Sequence, residues 1–156
     1  MKKMHVIANW MQGNALSGGD HIFIELVKRW RNKLEITLYL SKEGLDICDR
    51  EGLNTIPQLI WASDQMKSFG YLIDAIYRTG VSIRKSFSIE TTPGDIVLSS
   101  SDFWPDFIPA FIIKKRNPET HWVAGFYLFA PKPWQKDTPY RGKRFLTGLI
   151  YWISQL

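Results

Sequence analysis

Five short apolar segments that alternate with helical patterns constrain the fold of this chain more than any other feature. These segments are rich in Val, Ile, Leu and aromatic residues, and their hydrophobicity is nearly continuous rather than alternating. Strands with that pattern are buried on both faces, as in a parallel sheet. We assign strands to Met4–Asn9, Leu34–Leu40, Thr55–Trp61, Asp95–Ser99 and His121–Phe129.

Helical patterns fill the segments between these strands. They cover Asp20–Asn32, Ser41–Arg50, about Asp64–Phe87 and a segment that ends at Asn117. This order predicts an α/β fold with a doubly wound, Rossmann-like parallel sheet. We interpret residues 1–156 as a single domain, because a chain of this length with 45% hydrophobic residues can bury a substantial core.

The longest helical pattern, residues 64–87, leaves two interpretations open. Apolar residues recur every three or four positions and form one stripe: Phe69, Ile73, Ile76, Gly80, Ile83 and Phe87. A glycine on such a stripe indicates a close backbone contact or a kink in one continuous helix. The alternative is two helices joined by a turn at Thr79-Gly80.

The segment after the first strand combines a glycine-containing loop with the start of a helix. Two adjacent glycines, Gly18 and Gly19, precede Asp20, where the helical pattern begins. The N–H groups and the dipole of a helix N-terminus favour an anion, and glycine lets a ligand approach the backbone. The dinucleotide fingerprint GxGxxG is absent, because Gly13 is too far from the pair. We therefore predict a site for a phosphate or a sugar.

A second polar loop, Ser99–Asp102, follows the fourth strand. Ligands of open α/β sheets bind beyond the carboxyl ends of the strands, where the strand order reverses. If the first and fourth strands are neighbours, this serine-rich loop lies beside the glycine pair and the two line one crevice. We expect Asp102 or Asp106 to cap the helix that follows.

Charge and composition narrow the choice of partners. The net charge of +5 favours anionic partners such as phosphorylated sugars or an acidic membrane surface. Nucleic acid is not expected, because the aromatic residues follow core patterns instead of alternating with Lys and Arg. A single cysteine, Cys48, and the lack of an apolar run of membrane-spanning length favour a cytoplasmic protein.

The last sixteen residues of the chain combine a basic cluster with an apolar run. A basic cluster, Arg141, Lys143 and Arg144, precedes the apolar residues 145–156. This pattern is typical of an amphipathic element that lies peripherally on the inner, anionic face of a membrane. Packing of the same helix on the sheet or on a further domain is the equal alternative.

The glycine pair stands in SGGDHIFIELVKRW, and the serine-rich loop opens SSSDFWPDFIPAFIIKKRNPETHWVAGFYLFAP. Together these segments resemble the N-terminal, acceptor-side domain of GT-B fold glycosyltransferases of family four, over nearly the whole chain. The resemblance implies transfer of a hexose from a nucleoside diphosphate sugar to a glycan or lipid-linked acceptor, as in cell-surface polysaccharide biosynthesis, without a cofactor or metal. The resemblance covers only this first domain, so we expect the C-terminal, donor-binding domain to be absent from this chain. We therefore expect the chain to be inactive without that domain or a partner chain.

The resemblance also implies which residues line the cleft between the two domains. Donor or acceptor contacts are expected from Asn14, Ser17, Gly18, Gly19, Ser100, Ser101, Asp102 and Tyr127. Many relatives carry a histidine just after the fifth strand, where this chain has Leu128 and Phe129. Catalytic residues are therefore left unassigned. The alternative function is a non-catalytic subunit that recruits the acceptor or the membrane for a split glycosyltransferase.

An oxidoreductase with a nicotinamide cofactor fits the sequence less well. The third glycine of the fingerprint is missing. In such enzymes an acidic residue directly after the second strand binds the ribose of the cofactor; this chain has Ser41-Lys42-Glu43 there, and Glu43 is a weak match. Tight binding of NAD or NADP would favour this class of enzyme.

Overall fold

The computed structural model describes residues 1–13, 16–127 and 131–153. Their packing divides the chain into two compact units, Met1–Gly125 and Phe126–Leu156. The first unit contains a five-stranded, all-parallel sheet with helices on both faces. The predicted α/β, Rossmann-like class is thereby confirmed.

Strands and helices alternate in the first unit as the sequence predicts. The strands are β1 (Lys3–Ala8), β2 (Glu35–Ser41), β3 (Gln58–Ala62), β4 (Ile96–Ser99) and β5 (His121–Ala124). The helices are α1 (Gly18–Trp30), α2 (Lys42–Arg50), α3 (Tyr71–Ser86) and α4 (Trp104–Arg116), with a 3-10 turn at Lys67–Phe69 before α3.

Two predicted strand boundaries were wrong. The third strand begins at Gln58 rather than Thr55, because Pro57 has no N–H for the ladder; its carbonyl accepts a hydrogen bond from the Leu38 N–H at 2.9 Å. The fifth strand ends at Ala124 rather than Phe129, because its neighbour β4 ends at Ser99. Residues 128–130, at the predicted end of that strand, lie outside the described residues.

The strand order is β3-β2-β1-β4-β5, so β1 and β4 are parallel neighbours at the centre of the sheet. The order reverses between these two strands, which places the topological switch point at their carboxyl ends. Their register pairs Met4 with Ile96 and Ile7 with Ser99, so both strands end at nearly the same height.

Two apolar layers hold the helices to the sheet. On one face, Phe23 and Val27 of α1 and Ile47 of α2 pack on the inner strands. On the other face, Ala110 and Ile113 of α4 pack on the sheet. Cys48 is buried in the first layer, where burial raises the pKa of its thiol to about 12, as expected of a structural cysteine.

Helix α3 is one continuous helix, so the alternative with a turn at Thr79-Gly80 was wrong. A Cβ atom added at Gly80 would meet nothing within 4 Å, which also excludes a close contact at that position. The apolar stripe through Gly80 faces largely outward. The buried face is instead mostly polar: Asp74, Ala75, Arg78, Thr79, Ser82 and Ser86.

The second unit contains a 3-10 turn at Gly142–Arg144 and the helix α5 (Phe145–Ile153). The indole rings of Trp134 and Trp152 meet edge to face, with centroids 4.9 Å apart. Gly148 is required by packing, because a Cβ atom there would lie 2.3 Å from the Cβ of Tyr140. None of the helices in the described parts of the chain has the length and apolar composition that crossing a bilayer requires.

Two isoleucines of α1 test the packing of the first layer. Ile24 is fully buried, whereas Ile22 is 52% exposed. We expect Ile24→Ala to lower the free energy of unfolding by about 2–5 kcal/mol, because it leaves a cavity. Ile22→Ala should stay within about 0.5 kcal/mol of the wild type. Urea denaturation measures both, and equal losses would contradict the assigned orientation of α1.

Candidate functional site

The carboxyl ends of β1 and β4 are joined by hydrogen bonds between the loops that follow them. The Ser100 N–H donates to the carbonyl of Ile7 at 2.9 Å. The Trp10 N–H, in the loop after β1, donates to Oδ1 of Asp106 in α4 at 2.9 Å. The two loops at the switch point are therefore held together by the main chain and by one carboxyl group.

Asp106, in the first turn of α4, is the common hydrogen-bond acceptor for the serine-rich loop. Its Oδ2 atom accepts hydrogen bonds from the hydroxyls of Ser100, at 3.1 Å, and Ser101. Burial raises the pKa of Asp106 to about 7, although these hydroxyls and the backbone of Asn9 and Trp10 act in the opposite direction. Asp106 therefore binds the loops together instead of capping α4, whose N-cap residue, Phe103, makes no side-chain cap.

A buried guanidinium group holds the other side of the loop after β1. Arg78 of α3 is fully buried, and its Nε lies 2.9 Å from Oδ2 of Asp74. One terminal nitrogen lies 3.3 Å from Oε2 of Glu43 in α2. The other donates to the carbonyls of Asn9 and Met11 at 3.1 Å and 3.3 Å. Arg78 thus connects α2, α3 and the loop after β1 through charge-assisted hydrogen bonds.

An aromatic cluster lies next to this guanidinium group. Trp10 stacks on Phe103 with ring centroids 5.0 Å apart and meets Tyr71 edge to face at 5.3 Å. The Arg78 guanidinium carbon lies 5.8 Å from the centre of the Trp10 ring. Trp10 therefore joins the starts of α3 and α4 to the end of β1, and these contacts restrict its side chain.

The glycine pair forms the first turn of α1. Ser17 is the N-cap residue: its hydroxyl accepts from the Asp20 N–H at 3.1 Å, and Asp20 Oδ2 accepts from the Ser17 N–H at 3.0 Å. The His21 N–H bonds to the carbonyl of Ser17. Gly18 is exposed, and a Cβ atom on it would meet nothing within 4 Å. The backbone at Gly18 is therefore open to a ligand from solvent.

The predicted site residues divide into three groups. Gly18 and Gly19 lie in the first turn of α1 and Ser17 at the end of the loop after β1, whereas Ser100, Ser101 and Asp102 lie on the loop after the adjacent strand β4, which leaves the same end of the sheet. Asn14 lies outside the described residues. Tyr127 belongs to the second unit. Within the first group, the hydroxyls of Ser17, Ser100 and Ser101 already make internal hydrogen bonds.

Sequence reasoning missed the buried polar network around Arg78. A signal for it exists, because Asp74, Arg78, Ser82 and Ser86 recur every four residues and thus share one face of a helix. Asn9 extends the network: its amide nitrogen donates to the hydroxyl of Ser82 at 2.8 Å. The residues that fix the loop after β1 therefore come mainly from α3, far away in the sequence.

Comparisons with known protein families, with curated proteins and with solved structures find no match to this chain. The site is therefore interpreted from its own geometry. Three features define it chemically: an exposed helix N-terminus, a hydroxyl-rich loop on a buried carboxyl group, and a rigid aromatic and ionic support.

The raised pKa of Asp106 predicts a pH dependence of stability that Asp106→Asn removes. The folded-state pKa of about 7 lies above the ordinary value of 3.8. The resulting stabilisation is fully present below pH ~4 and is lost as the pH rises through ~7. We therefore expect the free energy of unfolding of the wild type, relative to Asp106→Asn, to fall over this range. Urea denaturation at several pH values measures it, and a constant difference would contradict the assignment.

Removal of the buried guanidinium group should destabilise the first unit strongly. Arg78→Met leaves the carboxylate of Asp74 buried without its cation, so we expect a loss of about 3–5 kcal/mol in the free energy of unfolding. Arg84→Met, an exposed position of the same helix, is the matched control and should change stability by less than about 0.5 kcal/mol. Similar losses for the two variants in urea denaturation would contradict a supporting role of the Arg78 network.

Proposed function

We propose that this chain is the acceptor-side domain of a GT-B glycosyltransferase of the family-four kind. In this proposal it takes part in the transfer of a hexose from a nucleoside diphosphate sugar to a glycan or lipid-linked acceptor. The observation that supports the proposal is the adjacency of β1 and β4, because the loop that leads to the glycine pair and the serine-rich loop both leave the sheet at its switch point.

The open start of α1 supports a role for the glycine pair in binding the diphosphate. A departing nucleoside diphosphate carries negative charge, and a helix N-terminus stabilises such charge with N–H groups and its dipole. Gly18 allows close approach, because it presents no side chain and its surroundings are open. In the reaction the bond between the sugar C1 and the diphosphate oxygen breaks, so stabilisation of the developing charge lowers the barrier.

The serine-rich loop supports a role in holding the acceptor. Asp102 is half-buried at the end of the loop, next to hydroxyls that Asp106 fixes in place. Hydroxyl and carboxylate groups are suited to bind sugar hydroxyls and to orient one of them toward C1. During transfer the oxygen of that hydroxyl forms the new bond to C1 and its proton is released. The buried networks on both sides of the loops would limit their movement during this step.

A non-catalytic subunit of a split glycosyltransferase is the second candidate. It is favoured by Leu128 and Phe129, which stand where many family-four enzymes carry a histidine near the reacting sugar. Under either proposal the chain acts in the cytoplasm, where nucleotide sugars are made, with the basic tail on the inner membrane face. Inspection of the reading frame beyond Leu156 for a donor-binding domain separates the two candidates.

The glycine pair provides a direct test of the proposed function. In the complete natural protein, Gly18→Leu should lower kcat/KM for sugar transfer at least about tenfold, because the side chain would block the approach of the diphosphate to the first turn of α1. The control is Arg29→Leu, which places the same side chain at an exposed position in the last turn of the same helix. Transfer is measured with labelled nucleoside diphosphate sugars. An unchanged rate in Gly18→Leu would contradict the proposal.

A further inference from the structure

The outer face of α3 carries exposed apolar side chains near both ends of the helix. We define this face as Phe69 in the 3-10 turn before α3, Ile73, Ile76 and Gly80 in the helix, and Phe87 at its C-cap. The four side chains are 65%, 48%, 58% and 56% exposed, in that order. Phe69, Ile73 and Ile76 are three or four residues apart, whereas Phe87 lies eleven residues after Ile76, beyond Gly80. The stripe therefore carries exposed apolar side chains at both ends of α3, unlike a single exposed apolar residue.

The buried ion pairs explain why this face points outward. Arg78 lies on the opposite side of α3, where its guanidinium group must stay paired with the carboxylates of Asp74 and Glu43. Rotation of the helix to bury its isoleucines would expose that network and break its hydrogen bonds to the loop after β1. The orientation of α3 is thus fixed, and its apolar stripe remains uncovered by the described part of the chain.

The exposed charges within α3 and α4 have one sign. Within α3 and α4, both described in full, the only carboxyl groups are those of Asp74 and Asp106, each 1% exposed. The same two helices end in five basic residues outside the core: Arg84, Lys85, Lys114, Lys115 and Arg116. Exposed carboxylates lie outside these helices along the chain: Asp64 and Glu90 before and after α3, and Glu119 three residues after the end of α4.

Basic and aromatic side chains are paired at this end of the two helices. The guanidinium carbon of Arg116 lies 5.3 Å from the ring centre of Phe87, and the ammonium of Lys115 lies 5.5 Å from that of Phe111. Both rings are exposed. An aromatic ring beside a long cationic side chain is suited to a bilayer interface, where the ring enters the acyl boundary and the charge reaches the headgroups.

We propose that the outer face of α3, together with the basic end of α3 and α4, docks on the surface of an anionic lipid bilayer. The apolar side chains would enter the acyl boundary, while Arg84 and Lys115 contact anionic headgroups. Lys85, Lys114 and Arg116, which donate to backbone carbonyls, add positive charge at the same end. A second copy of the chain is a poorer partner, since it offers no exposed carboxylate within α3 or α4 to pair with the basic ends. The inference does not depend on sugar transfer.

Vesicle flotation tests the proposal on the 156-residue chain. We expect binding to phosphatidylcholine vesicles that contain phosphatidylglycerol and much weaker binding to pure phosphatidylcholine. An increase in salt from about 0.1 M to about 1 M should weaken binding, because the Debye length falls from ~10 Å to ~3 Å. Absence of binding to the anionic vesicles, or equal binding to vesicles with and without phosphatidylglycerol, would overturn the proposal.

Paired variants separate docking through α3 from general attraction of a basic protein. Ile76→Glu should lower the vesicle partition coefficient at least about tenfold, since it places a charge at the acyl boundary. Ile22→Glu on α1, where the side chain is 52% exposed, makes the same charge change on the opposite face of the sheet. Arg84→Gln should lower partitioning about fivefold, whereas Arg29→Gln on α1 should leave it within about twofold. Circular dichroism and thermal melting confirm that each variant is folded.

The remaining outcomes all count against the proposal. Equal losses for Ile76→Glu and Ile22→Glu would mean that docking is not specific to α3. If Leu146→Glu in α5 abolishes binding while Ile76→Glu does not, the tail carries the membrane contact. If sedimentation shows a dimer without vesicles, and Ile76→Glu dissociates it, the face joins two copies of the chain instead.

Discussion

The buried guanidinium group of Arg78 is the constraint on which much of the first unit depends. A cation without solvent must be matched by charge and by hydrogen-bond acceptors, and here two carboxylates and two backbone carbonyls supply them. Those acceptors come from α2, α3 and the loop after β1. One side chain therefore couples the position of the loop to the rotation of α3.

Asp106 and Arg78 support the same loop from different helices. Asp106 accepts from the backbone of Trp10, and Arg78 donates to the backbone on both sides of that residue. The side chain of Trp10 is packed on Phe103 and Tyr71. A loop with so many fixed points loses little further entropy when a ligand binds, which suits a site that must orient two reactants.

Much of this arrangement could be predicted from the sequence, because it depends on local patterns. Apolar runs gave the strands, and glycine and serine marked the two loops at the switch point. The adjacency of β1 and β4 could only be stated as a condition, since pairing between distant strands is not a local property. Likewise, β5 ends at Ala124 because its partner β4 ends at Ser99. The residues of the fifth strand alone do not indicate where the partner ends.

The orientation of α3 shows why the rest could not be predicted. Periodicity identifies residues that share a face of a helix, but it does not say which face is buried. Hydrophobicity favours burial of the stripe through Gly80, and the structure buries the polar face instead, because Arg78 finds acceptors on α2 and on the loop after β1. Those acceptors lie far away in the sequence, so the preference reverses only when the whole fold is assembled.

The position of β3 has a consequence for how the protein behaves at high concentration. β3 is an outermost strand of the sheet, and its side chains Leu59 and Ile60 are exposed. A strand of this kind can recruit strands from other molecules and start fibrous aggregates. The ammonium group of Lys85 donates a hydrogen bond to the carbonyl of Ile60 at 2.8 Å. This bond and the positive charge hinder the pairing of another strand at this position. Neutralisation of this single lysine would make the chain harder to keep in solution.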